Sequence, residues 1–502
     1  MSRKGDLEWL AAELSAIRRH LQPGNESPDL VMALDQGSHA SRAVLFDSSG
    51  REVAGAHVPV TTSRPAPDRV EQDADELAQS LRQAASDALS SELAHGRRIV
   101  AAGLATQRST IVCFDRGDGR ALSPAISWQD RRGLAQVERL RPMEAKIRRQ
   151  TGLVLSPHYG ASKLRWCIDE LPEVRASLKN RKLCAAPLST FLLHRLLHEK
   201  PSVVDPANAS RTQLYDPARR QWAPALVEAF DIPVSALPRC VPTSHAYGHF
   251  VSEADKVPLR ICTGDQSAAV FAFGKPRADT AYVNIGTGAF VQCVVPARVK
   301  TPDGLLRSVL YSDADTAMAS IEGTVNGAGS AIEWFREVAE IDPERALQSL
   351  PAYAPDDLPL FLNGVGGVGS PYWQPEAPVE FVGNSDDRQR LMAVLESVAF
   401  LLDVNLRAMS DAAKVTRVLV TGGLARADYL CQVLADVSGL PVIRSSVREA
   451  TARGTAFLAA GQPESWSGPE IDRAFPPHRR AKLATRYRRW TKALEQRLSA
   501  SR

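Results

Sequence analysis

Two apolar segments with the same layout lie about 250 residues apart in this chain of 502 residues. Each has an apolar run, a tip that carries glycine, and a second apolar run. They are LVMALDQGSHASRAVLFD, which begins at residue 30, and TAYVNIGTGAFVQCVV, which begins at residue 280. This pattern predicts a β-hairpin in each place. Two halves that each open with a hairpin favour an internally duplicated α/β architecture.

The segments that follow each hairpin alternate between helical and strand patterns. After the first hairpin, helical periodicity runs through DADELAQSLRQAASDALSSEL, and RRIVAAGLATQ predicts a buried strand. After the second hairpin we expect a helix near residues 329–338. Further on, RVLVTGGLARADYLCQVLADVSG predicts a strand, a glycine pair and a helix, which is typical of a nucleotide-facing βα corner.

Composition limits the classes of protein to which the chain can belong. The net charge of +4 is too close to neutral to indicate a polyanionic partner. No run of 18 or more apolar residues occurs, which argues against a membrane span. The seven cysteines are scattered, without a CxxC pair, so the sequence favours neither a disulfide framework nor a structural zinc site. We therefore expect a protein of the reducing cytoplasm.

The two terminal segments of the chain, residues 1–28 and 473–502, are rich in charged residues. Residues 1–28 predict an amphipathic helix and a linker rather than a secretory signal, because charges recur every few positions. The basic stretch 473–502 allows two interpretations: a patch for nucleic acid or lipid, or a surface helix with an apolar stripe. We favour the helix, since apolar side chains recur at helical spacing at Leu483, Tyr487, Trp490 and Leu494.

Three turns that contain glycine are the candidate phosphate contacts, because the chain has no GxxxxGK[ST] motif. They are the Asp35-Gln-Gly-Ser, Gly286-Thr-Gly and Thr421-Gly-Gly turns. Glycine lets backbone N–H groups approach an anion closely. Asp35 is suited to hold Mg²⁺ or its waters, which bridge phosphate oxygens. Each turn alone is more often an ordinary turn, and only their combination suggests nucleotide binding.

Asp265 follows a glycine at the end of the apolar stretch PLRICTG and precedes the segment QSAAVFAF. A carboxylate at such a strand end is suited to accept a hydroxyl proton during phosphoryl transfer. It is equally suited to cap the following helix, because Asp is a preferred N-cap residue. Both interpretations stay open on spacing alone.

Nine motifs resemble, in order and spacing, those of the FGGY carbohydrate kinases, and within them most closely the glycerol kinases. The motifs are MALDQGSHASRAVLFDSSG, LATQRSTIVCFD, ISWQDRR, VVDPANASRTQLYD, TGDQSAAVFAFG, NIGTGAF, GAGSAIEWF, GSPYW and VTGGLARADYLCQVLADVSGLPV. The resemblance implies an actin-like ATPase fold with two ribonuclease-H-like α/β domains and a cleft between them. It places an N-terminal domain at 29–274 and a C-terminal domain at 275–502.

The resemblance also implies which residues contact the nucleotide. Asp35 is similar to the Mg²⁺-associated acid of the first phosphate hairpin, so the implied cofactors are ATP and Mg²⁺. The residues implied to contact the phosphates or line the adenosine are Ser38, His39, Arg42, Gly286, Thr287, Gly329, Ile332, Glu333, Gly422 and Gly423.

For the acceptor, the resemblance implies that Asp265 is the catalytic base that takes the hydroxyl proton. The other implied acceptor contacts are Arg108, Ser109, Trp128, His158, Gln266 and Phe290. Arginine donates to hydroxyls, while aromatic rings pack against a carbon skeleton.

Two acceptor positions depart from the glycerol kinase pattern. Ser109 stands where those kinases have a glutamate that accepts from glycerol hydroxyls, and His158 stands where they have a tyrosine. Each lost hydroxyl partner costs about 1–3 kcal/mol if the other group stays buried and unpaired. For His158, a packed imidazole and a substrate contact remain equally open. The tip of the first hairpin departs as well, with His39 in a hydroxyl-bearing position.

The sequence thus predicts an ATP-dependent kinase of a small polyol or sugar, with glycerol the first candidate acceptor. The alternatives are a kinase of another acceptor, of the pentulose or tetritol type, and a catalytically weak, nucleotide-binding regulatory paralogue. The expected partner is a small molecule rather than nucleic acid or a membrane. FGGY kinases form dimers and tetramers, so a homo-oligomer is compatible with the resemblance.

Overall fold

The computed structural model describes residues 29–500, except 252–255, 297–298, 352–354, 356–357, 467 and 469–470. The helix predicted within residues 1–28 lies outside the described residues. Every element below belongs to the described part of the chain.

The strands are numbered in chain order. They are β1 (Asp29–Gln36), β2 (Ala40–Phe46), β3 (Glu52–Pro59), β4 (Ser63–Ala66), β5 (Arg69–Gln72), β6 (Arg98–Thr106), β7 (Ile111–Asp115), β8 (Ala125–Ile126), β9 (Leu183–Pro187), β10 (Val203–Val204), β11 (Tyr215–Asp216), β12 (Gln221–Trp222), β13 (Arg239–Cys240), β14 (Ser244–Val251), β15 (Lys256–Gly264), β16 (Thr280–Ile285), β17 (Ala289–Val295), β18 (Leu306–Ser312), β19 (Ala317–Val325), β20 (Leu360–Asn363), β21 (Val379–Val382), β22 (Arg417–Thr421), β23 (Val442–Ser445) and β24 (Ile471–Phe475).

The α-helices are numbered in the same way. They are α1 (Ala74–Leu89), α2 (Leu134–Arg139), α3 (Glu144–Thr151), α4 (Gly160–Glu170), α5 (Pro172–Lys179), α6 (Leu188–Leu196), α7 (Pro206–Ser210), α8 (Pro224–Ala229), α9 (Asp265–Ala269), α10 (Gly329–Val338), α11 (Pro343–Leu347), α12 (Asp387–Met409), α13 (Asp428–Ser438), α14 (Ala450–Ala459) and α15 (Ala481–Ala500).

The chain divides into two units, each with its own sheet. The first unit contains Met1–Lys275, Ser308–Met318 and Glu449–Gly468, and the second contains Pro276–Arg307, Ala319–Arg448 and Pro469–Arg502. Both units are therefore assembled from separate stretches of chain. The predicted domain boundary between residues 274 and 275 stays a prediction, close to the first of these division points.

The first unit is built on a six-stranded sheet in the order β14-β15-β6-β1-β2-β3. β1 and β2 form the predicted hairpin, and β6 pairs in parallel with β1. α1 packs on β2 and β3 and begins after Asp73, whose side chain accepts from the N–H groups of Asp75 and Glu76. A second sheet, in the order β4-β5-β8-β7-β9, belongs to the same unit.

A helix from the far end of the sequence completes the first unit. α14 packs on β1, β6 and α9, and the approach is close enough to require glycine. A Cβ on Gly454 would stand 1.9 Å from the carbonyl oxygen of Ala268, and one on Gly103 would stand 2.7 Å from a methyl group of Thr455. The position of α9, which begins at Asp265, therefore depends on residues almost 200 positions further along the chain.

The second unit repeats this plan. Its sheet has the order β18-β19-β17-β16-β22-β23-β24. β16 and β17 form the second predicted hairpin, β22 pairs in parallel with β16, and β23 pairs in parallel with β22. In the first unit, β6 and β15 stand in the same relation to β1. The prediction of two α/β units that each open with a hairpin is confirmed.

The core of the second unit forms around α12, whose residues between Leu391 and Leu402 are all buried. The basic C-terminal stretch contributes α15, and its predicted apolar stripe is confirmed: Leu483, Trp490 and Leu494 are buried in this core. Among the described residues, no helix combines the length and the apolar composition that a membrane crossing needs.

Candidate functional site

The first glycine turn places a buried acid opposite an arginine. Asp35, near the end of β1, is only 5% exposed and pairs in register with Arg42 of β2. One Arg42 Nη lies 3.7 Å from an Asp35 carboxylate oxygen, and its Nε lies 3.5 Å from the carboxylate of Glu449. Two residues from one hairpin and one from the start of α14 thus form a charged group in the first unit.

Burial raises the pKa of Asp35 to about 7; Arg42 opposes the increase, and the nearby carboxylates of Asp265 and Glu449 add to it. An ionised Asp35 is therefore costly unless a further cation compensates it. The need for a further cation beside Asp35 fits Mg²⁺. This ion usually takes one or two carboxylates as ligands and fills its remaining positions with water and phosphate oxygens. Among the described residues, no cluster of three or more His, Cys, Asp or Glu side chains could hold a metal by itself.

The tip of the first hairpin is linked to the segments predicted to contact the acceptor. The Ser38 hydroxyl donates to Gln107 Oε1 at 3.2 Å and accepts from Trp128 Nε1 at 2.9 Å. Gln72 Nε2 donates to the Ser38 carbonyl oxygen at 2.9 Å. His39, by contrast, is exposed. Ser38 is therefore fixed by neighbouring side chains, whereas the imidazole of His39 is accessible to a ligand from solvent.

Asp265 lies beside Arg108 in the first unit. The Arg108 Nε is 3.7 Å from Asp265 Oδ1, and the same carboxylate oxygen accepts from the backbone N–H of Gln266 at 2.7 Å. Gly264 is the N-cap residue of α9, so Asp265 is the first residue of the helix and not its N-cap. The capping interpretation was thus off by one residue.

Glycine is required at position 264 for this arrangement. A Cβ there would lie 2.5 Å from Cγ and 2.7 Å from Cδ of Arg108. Because these carbons belong to the inner part of the side chain, Arg108 could not keep its place beside Asp265 if residue 264 carried a side chain.

Ser109, Trp128 and His158 line a common region of the first unit. Ser109 adopts the left-handed backbone conformation, with φ of 67°, and is 3% exposed. Its hydroxyl has no hydrogen-bond partner among the described residues. The rings of Trp128 and His158 meet edge to face, with centroids 5.8 Å apart, and His158 meets Tyr159 in the same way at 5.0 Å. The packed-imidazole interpretation of His158 is consistent with these ring contacts.

The second and third glycine turns come together in the second unit. The N–H of Gly329 donates to the carbonyl oxygen of Gly286 at 2.9 Å. The N–H of Ser330 donates to the carbonyl oxygen of Thr287, also at 2.9 Å. A Cβ on Gly329 would lie 2.7 Å from the Gly286 oxygen. The start of α10 is therefore joined directly to the hairpin tip.

The third turn lies beside the same hairpin because β22 is parallel to β16, with Thr421 opposite Asn284. Gly422 has φ of 94°, and a Cβ on it would stand 2.4 Å from the carbonyl oxygen of Ile285. A Cβ on Gly423 would meet no atom within 4 Å. Gly422 is thus required by packing, whereas the surroundings of Gly423 are open.

The remaining predicted contacts differ in exposure and position. On α10, Ile332 is buried in the core of the second unit, and Glu333 is exposed. Phe290, in β17, also belongs to the second unit and is half-buried. Gln266, next to Asp265, is half-buried in the first unit. All the predicted acceptor contacts except Phe290 therefore lie in the first unit.

Several residues near Asp265 were not identified from the sequence. Arg211 and Arg108 both donate to the hydroxyl of Ser308, the latter at 3.4 Å. Arg211 lies in a motif that resembles the family, which was a usable signal, but Ser308 and Glu449 lie outside every such motif. Lys163 is a further buried group that the sequence analysis did not single out.

Comparison with known proteins defines the class of protein to which this fold and site belong. The family model described as the N-terminal domain of the FGGY family of carbohydrate kinases matches residues 30–272, and the model of its C-terminal domain matches residues 281–462. The chain therefore belongs to the FGGY family of carbohydrate kinases.

Individual relatives agree with this family. A glycerol kinase of Trichlorobacter lovleyi is 33% identical in an alignment 485 residues long that covers 93% of this chain and 98% of that protein. The structure of Plasmodium falciparum glycerol kinase with ADP superposes with a TM-score of 0.85 at 23% identity, covering 94% of this chain and 98% of that one. The structure of a xylulose kinase from Rhodospirillum rubrum superposes with a TM-score of 0.81 at 22% identity, covering 93% of this chain and 98% of that one. The predicted actin-like ATPase fold and carbohydrate kinase class are confirmed.

Proposed function

We propose that this protein transfers the terminal phosphoryl group of ATP to a hydroxyl of a small polyol or sugar, with Asp265 as the general base. The observation that carries the proposal is the juxtaposition of Asp265 and Arg108, with 3.7 Å between Oδ1 and Nε. A guanidinium in this position pairs with the carboxylate and can donate to an acceptor hydroxyl. Asp265 then takes the hydroxyl proton as the oxygen attacks phosphorus.

The nucleotide is assigned to the glycine turns. Gly286, Thr287, Gly329, Gly422 and Gly423 come together in the second unit, where the surroundings of Gly423 are open, and the phosphate chain and adenosine are assigned to them. In the first unit, Ser38, His39 and Arg42 are further proposed phosphate contacts.

Asp35 is proposed to hold Mg²⁺, directly or through water. The metal ion, when bound, would neutralise phosphate charge. The contribution of the chain is the carboxylate of Asp35, whose pKa is raised chiefly by burial. Arg42 supplies part of the compensation, at 3.7 Å.

Glycerol is the first candidate acceptor, because curated relatives that cover most of the chain are glycerol kinases. The acceptor is assigned to Arg108, Ser109, Trp128, His158, Gln266 and Phe290. The cytoplasm is the proposed location, since all seven cysteines lie in the described part of the chain and are free thiols.

A second candidate is a larger acceptor, of the pentulose or tetritol type. It is favoured by Ser109, which replaces a glutamate of the glycerol kinases with a smaller side chain and leaves a buried hydroxyl without a partner among the described residues. A polyol with a further hydroxyl group could supply that partner.

The deciding experiment measures ADP formation with Mg-ATP over a panel of polyols, ketoses and aldoses. We expect turnover that depends strictly on an acceptor and falls at least 1,000-fold in Asp265→Asn, an order of magnitude typical for the loss of a general base and its electrostatic role. Asp411→Asn, at an exposed position after α12, is the matched control. Full acceptor-dependent activity in Asp265→Asn refutes the assigned base. Failure of the whole panel favours the catalytically weak paralogue.

A further inference from the structure

Lys163 is a lysine without solvent exposure in the interior of the first unit. It lies on α4, one turn after the start of the helix, and its side chain is directed into the protein. A buried ammonium is costly unless its N–H groups are hydrogen-bonded. The partners of this group therefore indicate what the lysine does.

The Lys163 ammonium donates to three backbone carbonyl oxygens. The acceptors are those of Ser109 at 2.7 Å, Ser127 at 2.9 Å and His158 at 2.9 Å. An ammonium has three N–H donors, so all of them are used. The nearby acid Asp130 is engaged by Arg132 through hydrogen bonds of 2.7 to 3.0 Å.

The three carbonyl groups belong to three segments that are distant in sequence, and each segment contains a proposed acceptor contact. Ser109 and His158 are themselves proposed acceptor contacts, and Ser127 directly precedes Trp128, which is another. The lysine thus joins the backbone of three parts of the proposed acceptor site.

The contact with Ser109 is of particular consequence because its φ of 67° is unfavourable for a residue with a side chain. Such a conformation persists only when surrounding contacts enforce it. The bond from Lys163 to the Ser109 carbonyl is one of these contacts, and it lies next to Arg108, the partner of Asp265.

We propose that Lys163 is a positioning residue that sets the geometry of the acceptor site by holding the backbone of Ser109, Ser127 and His158 together. It does not touch the acceptor and takes no part in proton transfer. The inference rests on the proposed function, since it concerns the acceptor site of that reaction.

The electrostatic surroundings agree with a group held by carbonyl oxygens rather than by an ion pair. Burial lowers the pKa of Lys163 to about 7; Asp130 and Cys167 oppose this effect, and Arg132 adds to it. The three carbonyl groups offset the cost of burial only while all three segments stay in place. The lysine and the segments therefore stabilise one another.

The test is steady-state kinetics of Lys163→Met and Lys163→Gln with the best acceptor of the panel. Methionine retains the bulk but removes all donors, and glutamine retains two. We expect the acceptor KM to rise at least 10-fold in Lys163→Met and by less in Lys163→Gln, with the KM for ATP changed less than twofold. Arg486→Met is the matched control, because Arg486 is also buried and bonds Glu396 at 2.6 Å in the second unit. It should lower thermal stability without changing the acceptor KM.

Each outcome is decisive. An acceptor KM within twofold of wild type in folded Lys163→Met, with normal wild-type turnover, overturns the inference and leaves the proposed function intact. No wild-type turnover with any acceptor overturns both. If Lys163→Met does not fold, hydrogen exchange of the wild-type protein decides: the acceptor should slow exchange around residues 109, 127 and 158 together, and an independent response of these segments overturns the inference.

Discussion

Asp265 Oδ1 and Arg108 Nε lie 3.7 Å apart in the first unit, although the two residues are separated by more than 150 positions in the chain. β6 ends just before Arg108 and β15 ends just before Asp265, and these strands are parallel neighbours with Gly264 opposite Thr106. The carboxyl ends of adjacent parallel strands meet at one edge of the sheet, which is where α/β proteins place their ligand sites.

This relationship depends on the absence of a side chain at Gly264. We expect Gly264→Ala to lower kcat at least 10-fold, because its Cβ would displace Arg108, with inner side-chain carbons 2.5 and 2.7 Å away. Initial rates at saturating ATP and acceptor test this, with Gly468→Ala as the control, since a Cβ there meets nothing within 4 Å. An unchanged kcat would show that the pair is not needed for the reaction.

Gly423 offers a direct test of the nucleotide site. Because a Cβ at this position meets no atom within 4 Å, Gly423→Leu should fold normally. We expect its KM for ATP to rise about 10-fold or more, since the side chain would occupy space assigned to adenosine. Gly422→Leu should instead destabilise the fold, because a Cβ there stands 2.4 Å from a carbonyl oxygen. Normal ATP affinity in Gly423→Leu would place the nucleotide elsewhere.

Asp35 should make stability depend on pH in the absence of metal and nucleotide. Its pKa is raised from 3.8 to about 7, so the folded state binds more protons than the unfolded state between these values. The associated stability is fully present below pH 3.8 and is lost as the pH rises through about 7. One pKa unit corresponds to about 1.4 kcal/mol. Urea denaturation at pH 5 and pH 8 should therefore show Asp35→Asn gaining stability relative to wild type at the higher pH. A difference that is the same at both values contradicts the raised pKa.

Ser109 should determine the choice of acceptor. Ser109→Glu restores the carboxylate that accepts from glycerol hydroxyls in the pattern of the glycerol kinases. We expect the ratio of kcat/KM for glycerol to that for larger polyols and ketoses to rise at least 10-fold, because one good hydrogen bond is worth about 1–3 kcal/mol. Ser109→Gln is the control for side-chain size, because glutamine is similar in size to glutamate but uncharged. If this ratio does not change in Ser109→Glu, residue 109 does not determine the choice of acceptor.

Local patterns were sufficient for the hairpin that opens each unit and for several of the elements that follow it. The alternation of apolar runs and glycine tips predicted both hairpins, and helical spacing of apolar residues predicted α1 and the buried stripe of α15. These features follow from the near neighbours of each residue in the chain, through backbone conformation and the periodicity of strands and helices. The order of family motifs added the roles that the resemblance implies for Asp35 and Asp265.

Other features depend on contacts between distant segments. The sequence by itself determined two α/β units, two hairpins and the acids at the strand ends. Only the tertiary structure decided that α14 fixes α9 through Gly454, that Arg108 lies beside Asp265, and that Lys163 joins three segments. Such contacts leave no periodic signal, because each arises where segments remote in the chain pack against one another, and the close packing of the interior fixes which atoms meet.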